Sequence, residues 1–152
     1  MPCGLLVDDD QIVAKWAYST FNIYEQPINK AYGIVDTNGK LLGAILFQNF
    51  NGVNIELSYY GPRTLSSGIV RIIARTVLGH FKAGRLTVVT SRRNKRLIRA
   101  LIKIGFRIEG VMRCFYGHTD NKKNTGVRLV AFKEQLSRVA YRTTSGQKNG
   151  TK

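Results

Sequence analysis

Apolar positions along this chain switch between helical and alternating rhythms, and the switches outline its elements. Ile12, Val13, Trp16 and Ala17 recur at helical spacing behind Asp8-Asp9-Asp10. That pattern predicts a helix whose start is capped by acid and favoured by the helix dipole. Residues 19–30 read as a connector. A hairpin follows, with strands Ala31 to Asp36 and Lys40 to Gln48 around a turn at Thr37-Asn38-Gly39. Asn-Gly between apolar runs tolerates positive φ and so favours a reversal. A second turn at Asn49 to Gly52 leads into Val53 to Tyr60. Alternation there places Val53, Ile55, Leu57 and Tyr59 on one face and Asn54, Glu56, Ser58 and Tyr60 on the other.

Gly61-Pro62 ends that strand. Leu65, Ile69, Ile72, Ile73, Thr76 and Val77 then predict an inward-facing helix over Leu65 to Leu78. Leu86 to Thr90 is a short β-branched strand. Asn94, a good helix opener, precedes Leu97, Ile98, Leu101 and Ile102 at helical spacing, and Gly105 stands where a helix ends left-handed. Phe106 to Tyr116 and Gly126 to Lys133 read as two strands joined by the polar loop 117–125. From Ser137 the chain is rich in Ser, Thr, Gly and Lys, without acid, which predicts a flexible basic tail. The expected organisation is one domain over residues 1–136 and a tail over 137–152. Its fold class is α/β: a mixed sheet flanked by helices, because the crossover from Tyr60 to Leu86 implies parallel pairing near the centre.

Composition narrows the function classes. A chain of 152 residues matches one domain with a sizeable core. No apolar run approaches the roughly 20 residues that cross a bilayer, and the first residues lack the basic and apolar regions of a secretion signal. The expectation is a cytoplasmic protein with no membrane partner. Cys3 and Cys114 have no metal-ligand spacing, and His80 and His118 stand apart from any Cys, Asp or Glu cluster that could hold a metal, so no metal site is expected. Twenty-four Lys and Arg against nine Asp and Glu give a formal net charge of +15. Such a field favours polyanionic partners without choosing among them.

The segment Tyr60-Gly-Pro-Arg63-Thr64-Leu65-Ser66-Ser67-Gly68 joins a strand exit to a helix start. Backbone N–H groups and the dipole suit an anion there, although a plain turn with serine caps fits the same residues. The run from Asn94 through Gly105-Phe106 to Glu109, Gly110 and Arg113 resembles the coenzyme-A-side motif of the GNAT acetyltransferase superfamily. The resemblance spans residues 5 to 134 and is closest to ribosomal-protein N-terminal acetyltransferase-like and short phage-type members.

That resemblance implies a GNAT-like fold, acetyl-coenzyme A as cosubstrate and an amine as acceptor. Backbone groups at Leu57, Ser58 and Tyr59 would face the pantetheine and thioester, where adjacent strands splay. Leu65, Ser66, Ser67 and Gly68 would offer N–H groups to the pyrophosphate, and Asn94 would bind the pantetheine. Arg63 and Arg96, with neighbouring Arg71, Arg92, Arg93 and Lys95, would neutralise phosphates. Glu56 is the candidate base and Tyr116 a candidate acid, with Tyr60 as another. Glu109 reads as structural, satisfying backbone or Arg113. Two departures accompany the match. Arg63 lies five residues before Gly68 where the family's loop has three, and Leu101 stands where many members carry a proton-donating Tyr.

Two functions follow. One is an acetyl-coenzyme-A-dependent N-acetyltransferase acting on a protein N-terminus, a lysine or a small amine, in the host cytoplasm if phage-encoded. The other is a catalytically degenerate GNAT-fold binding or structural protein. It would engage nucleic acid or an acidic protein through the basic face Arg92 to Lys103 and the tail. The acceptor and the oligomeric state are not legible in these residues.

Overall fold

The computed structural model describes residues 4–61 and 66–141. The chain forms two compact units, Met1–Thr64 and Leu65–Lys152. The first contains β1 (Gly4–Leu6), α1 (Asp10–Phe21), β2 (Lys30–Val35), β3 (Leu41–Gln48) and β4 (Asn54–Tyr60). Its strands form an antiparallel meander in the order β1-β2-β3-β4. Helix α1 lays Val13, Ala14, Ala17 and Tyr18 over Ala31, Ala44 and Leu46, with Trp16 and Tyr60 at the margin. The opposite face is also dry. Tyr32 meets Phe47 edge-to-face at 5.7 Å, and Ile45, Phe47 and Ile55 have no exposed surface.

Both turns of the meander are built by short polar side chains. Asp36 accepts the N–H groups of Asn38 and Lys40, and Gly39 takes the positive φ of 81° that the reversal needs. Asn51 does the same for Val53 and Asn54. Strand β4 starts at Asn54, so Val53 lies outside it and is exposed. Within β4 the expected alternation holds, with Ile55 and Leu57 buried. At its far end Gly61 has φ 146°, and a Cβ there would stand 2.7 Å from the Gly43 Cα. Only glycine admits that close approach.

The acid-capped start of α1 is corrected in detail. Asp9 occupies the cap position without a side-chain hydrogen bond, and Asp10 lies in the first turn. Asp8, just before the cap, takes a positive φ of 66°.

The second unit contains α2 (Ser67–Arg75), β5 (Arg85–Ser91), α3 (Lys95–Lys103), β6 (Arg107–Met112), β7 (Gly126–Phe132) and α4 (Lys133–Tyr141). Its strands are antiparallel in the order β5-β7-β6. A π-helical turn at Thr76–His80 extends α2, burying Thr76 and Val77. Ile72, expected to face inward, is 39% exposed, because the buried side passes through Ile73 and Ala74 instead.

The tail is also corrected. Residues 137–141 belong to α4, where Leu136 and Ala140 are buried. Arg75 of α2 donates from Nε to the Ala140 carbonyl at 2.8 Å and lies over the Tyr141 ring. Those contacts absorb the end of α4, which reads as polar and tail-like in isolation. Residues 142–152 of the expected tail lie outside the described residues.

Candidate functional site

Strand β4 carries the first group of candidates. Its register pairs Glu56 with Gln48, Leu57 with Phe47, Ser58 with Leu46 and Tyr59 with Ile45. Glu56, Ser58 and Tyr60 therefore share the face on which α1 packs. Glu56 is half-buried and accepts a hydrogen bond at Oε2 from Asn49 Nδ2 at 2.7 Å. That bond orients the carboxylate, and no partner is present for Oε1 among the described residues. Ser58 Oγ donates to Gln48 Oε1 at 2.8 Å. The Tyr60 hydroxyl is pushed above its ordinary pKa, chiefly by burial, while a hydrogen bond with Ser58 pulls the other way. The carboxylate and the phenol share that face of β4 at opposite ends of the strand, with Ser58 between them, and each is a residue type that can exchange a proton with a bound substrate.

The second group lies in the other unit. Ser66 Oγ accepts the Ile69 N–H at 3.2 Å and caps α2. The N–H groups of Ser67 and Gly68, in the first turn, have no partner within the helix by its geometry and point out of its positive end. One turn on, Arg71 has a buried Nε without a hydrogen-bond partner among the described residues. A buried, unpartnered guanidinium donor just behind a helix start suits a phosphate oxygen, since burial leaves such a donor costly unless it is paired. Arg63 and Leu65 lie outside the described residues.

Asn94 caps α3 as its residue type predicts. Its Oδ1 accepts the Leu97 N–H at 3.4 Å, and its Nδ2 donates to Thr90 Oγ1 at 3.3 Å. Both functional ends of the amide are thus engaged locally. Arg92, Arg93, Lys95, Arg96, Arg99 and Lys103 are all exposed. Gly105 ends the segment at φ 109°, where the Phe106 N–H reaches back to the Leu101 carbonyl at 3.0 Å. Gln135 closes over it, and a Cβ at Gly105 would stand 2.8 Å from the Gln135 Cγ.

Two expectations change partners. Glu109 pairs with Arg85, not Arg113. The reason is a bulge: Ile108 faces Leu129 and Gly110 faces Arg128, which leaves Glu109 as the extra residue. The Arg85 hydrogen bonds hold the Glu109 carboxyl below its ordinary pKa and raise Arg85 in turn. Arg113 pairs instead with Asp120 across the loop after β6. That strand stops at Met112, not Tyr116. Tyr116 is 49% exposed, lies edge-to-face against Phe115 at 5.0 Å, and donates its backbone N–H to the Asn124 carbonyl in the loop. Asn49, the partner of Glu56, escaped the sequence reading. The hairpin register Gln48–Glu56, projected one residue further, is the signal that points to it.

No family model matches the sequence, and no curated protein does. Solved structures do. Spermidine N-acetyltransferase from Vibrio cholerae, in a dodecameric intermediate state, superposes with a TM-score of 0.70 at 10% identity, covering 93% of this chain and 98% of that one. A chimera of that enzyme with hSSAT gives 0.67 at 9% identity over 90% and 99%. A GNAT-family acetyltransferase from Bacillus anthracis gives 0.55 at 18% identity over 68% and 66%. At these identities the likeness establishes architecture: the chain has the α/β fold of the GNAT acetyltransferases.

Proposed function

We propose that this protein is an acetyl-coenzyme-A-dependent N-acetyltransferase acting on an amine. The observation that carries the reading is the extent of the likeness, which spans nine-tenths of the chain in proteins that acetylate amines. The start of α2, with an Arg71 Nε behind it that has no partner among the described residues, supports a phosphate-bearing cosubstrate. Backbone groups of Leu57 to Tyr59 would hold the pantetheine arm and thioester, and Ser66 to Gly68 the pyrophosphate. Asn94 and Arg96 would contribute further along.

In the proposed reaction the neutral amine attacks the acetyl carbonyl carbon and the carbon–sulfur bond breaks. Glu56, directly or through water, takes the proton that the amine nitrogen loses. Coenzyme A departs as the thiolate. Leu101 cannot protonate it, and Tyr60 or Tyr116 supplies that proton, or solvent does. The acceptor is a protein N-terminus, a lysine or a small amine, and the positive charge of the chain favours acceptors on acidic molecules.

Acetyl-coenzyme A is expected to raise the melting temperature, and thiol release is expected with an amine acceptor. Glu56→Gln should lower kcat by about a hundredfold or more while leaving the thermal shift intact. Absence of a shift at millimolar acetyl-coenzyme A would sink the cosubstrate half of the reading.

A second reading has one observation in its favour. The six cations from Arg92 to Lys103 are exposed, and none belongs to an ion pair among the described residues. A nucleic-acid partner would use them as phosphate contacts, and filter binding over a salt series would then show a steep loss of affinity.

A further inference from the structure

A groove of about 370 Å³ lies on the second unit, between α3 and β6. Its floor is aliphatic: Ile98 from α3, Ile108 and Val111 from β6, and Val127 from β7. Its rim is cationic, with Arg92 and Lys95 at the start of α3 and Lys122 in the loop before β7. The bulge in β6 creates the floor. Residues three apart on a regular strand face opposite ways, but the extra residue at Glu109 brings Ile108 opposite Leu129 and Val111 opposite Val127, on one face. Ile108 is 52% exposed and Val111 53%. The bulge also takes Glu109 to Arg85, so no carboxylate lines the groove. Strand β6 is the edge of the order β5-β7-β6, which leaves an open row of backbone donors and acceptors beside it.

We propose that this groove docks an extended acidic peptide segment of a partner protein, with aliphatic side chains on the floor and flanking carboxylates at Arg92, Lys95 and Lys122. The charge pattern selects that occupant. The same face of a second copy would bring its own three cations against these and repel. The segment 142–152 of this chain carries Arg142, Lys148 and Lys152 and no acid. Nucleic acid would satisfy the rim but leave the aliphatic floor unused, since that floor offers no aromatic side chain on which a base could stack. An acidic, aliphatic strand uses the floor, the rim and the open edge together. The inference does not rest on acetyl transfer, and because Arg92 and Lys95 also stand among the cations that the resemblance assigns to coenzyme phosphates, the peptide is titrated without acetyl-coenzyme A.

The test uses the full chain and a fluorescein-labelled synthetic octapeptide with two central leucines flanked by glutamates. Anisotropy should rise on binding, and amide resonances of residues 108–111 should shift in an NMR titration. Val111→Glu and Lys95→Glu should each weaken binding about tenfold or more. Lys15→Glu, an exposed change of equal charge in the other unit, should leave it nearly unaltered. Both groove positions are exposed, and circular dichroism verifies that the variants fold. Absence of binding at millimolar peptide overturns the proposal, as does an equal loss in Lys15→Glu, which would mark simple charge attraction. Binding unaffected by Val111→Glu, or self-association of the free protein that Val111→Glu abolishes, also overturns it.

Discussion

Helices α2 and α3 begin alike and are used differently. Each has nine residues and opens on a polar side chain that accepts the N–H three residues on, from Ser66 or from Asn94. Each has a well-defined apolar side. Yet α2 buries Ile73 and Ala74 and runs on through buried Thr76 and Val77, while α3 buries no residue. Amphipathicity decides which side of a helix is apolar, and the neighbours decide whether that side becomes dry. Helix α4 provides α2 with a packing partner and with the Ala140 carbonyl for Arg75. Helix α3 lies beside an edge strand whose own aliphatic residues remain half-exposed. One helix belongs to the core; the other borders a binding surface.

The contrast is sharpest in large-to-small substitutions. Ile73→Ala should cost about 2–5 kcal/mol in denaturant unfolding. Ile102→Ala, at a position 46% exposed on α3, should cost about 0.5 kcal/mol or less. Equal losses would erase the distinction. Next in size is Gly105→Ala, at about 1–2 kcal/mol, because φ is 109° and Gln135 occupies the space a Cβ would need. A melting temperature unchanged by that substitution would show that the end of α3 relaxes freely.

The two caps should matter about equally, at about 1 kcal/mol each for Ser66→Ala and Asn94→Ala. A much larger loss for Asn94→Ala would show that the Thr90 hydrogen bond carries more than the cap. The smallest effect concerns Glu109→Gln, at about 0.5 kcal/mol for a partly exposed pair. Arg85 holds the Glu109 carboxyl below its ordinary value. The pair therefore stabilises the fold above the unfolded carboxyl's pKa, about 4.3, and its contribution is lost as pH falls through the lower folded value. Stability curves of the variant and the parent should converge in acid, and a constant gap down to low pH would refute the assignment.

Local chemistry was the legible part. Asn94 as cap, Gly105 as left-handed stop, the Asp36-to-Gly39 reversal and the alternation of Ile55 and Leu57 all depend on residues within a few positions of each other. The partner of Glu109 was illegible for the opposite reason. Arg113 is near in sequence, but the bulge in β6 sends the carboxylate across β7 to Arg85 on β5. The last turn of α4 was hidden likewise, because its polar composition reads as tail until Arg75 is placed against it.

Sequence alone therefore specified most of the elements, the Asn94 cap and Gly105 stop of α3, the α/β class and the resemblance to GNAT acetyltransferases, since each follows from short-range periodicity or a contiguous motif. Tertiary structure decided how those elements are used: that Asn49 orients Glu56, that Arg71 keeps a buried donor with no partner among the described residues, and that Ile108 and Val111 share a face. These depend on strand register and burial. A single extra residue in a strand changes both without changing the apolar pattern from which the strand is recognised.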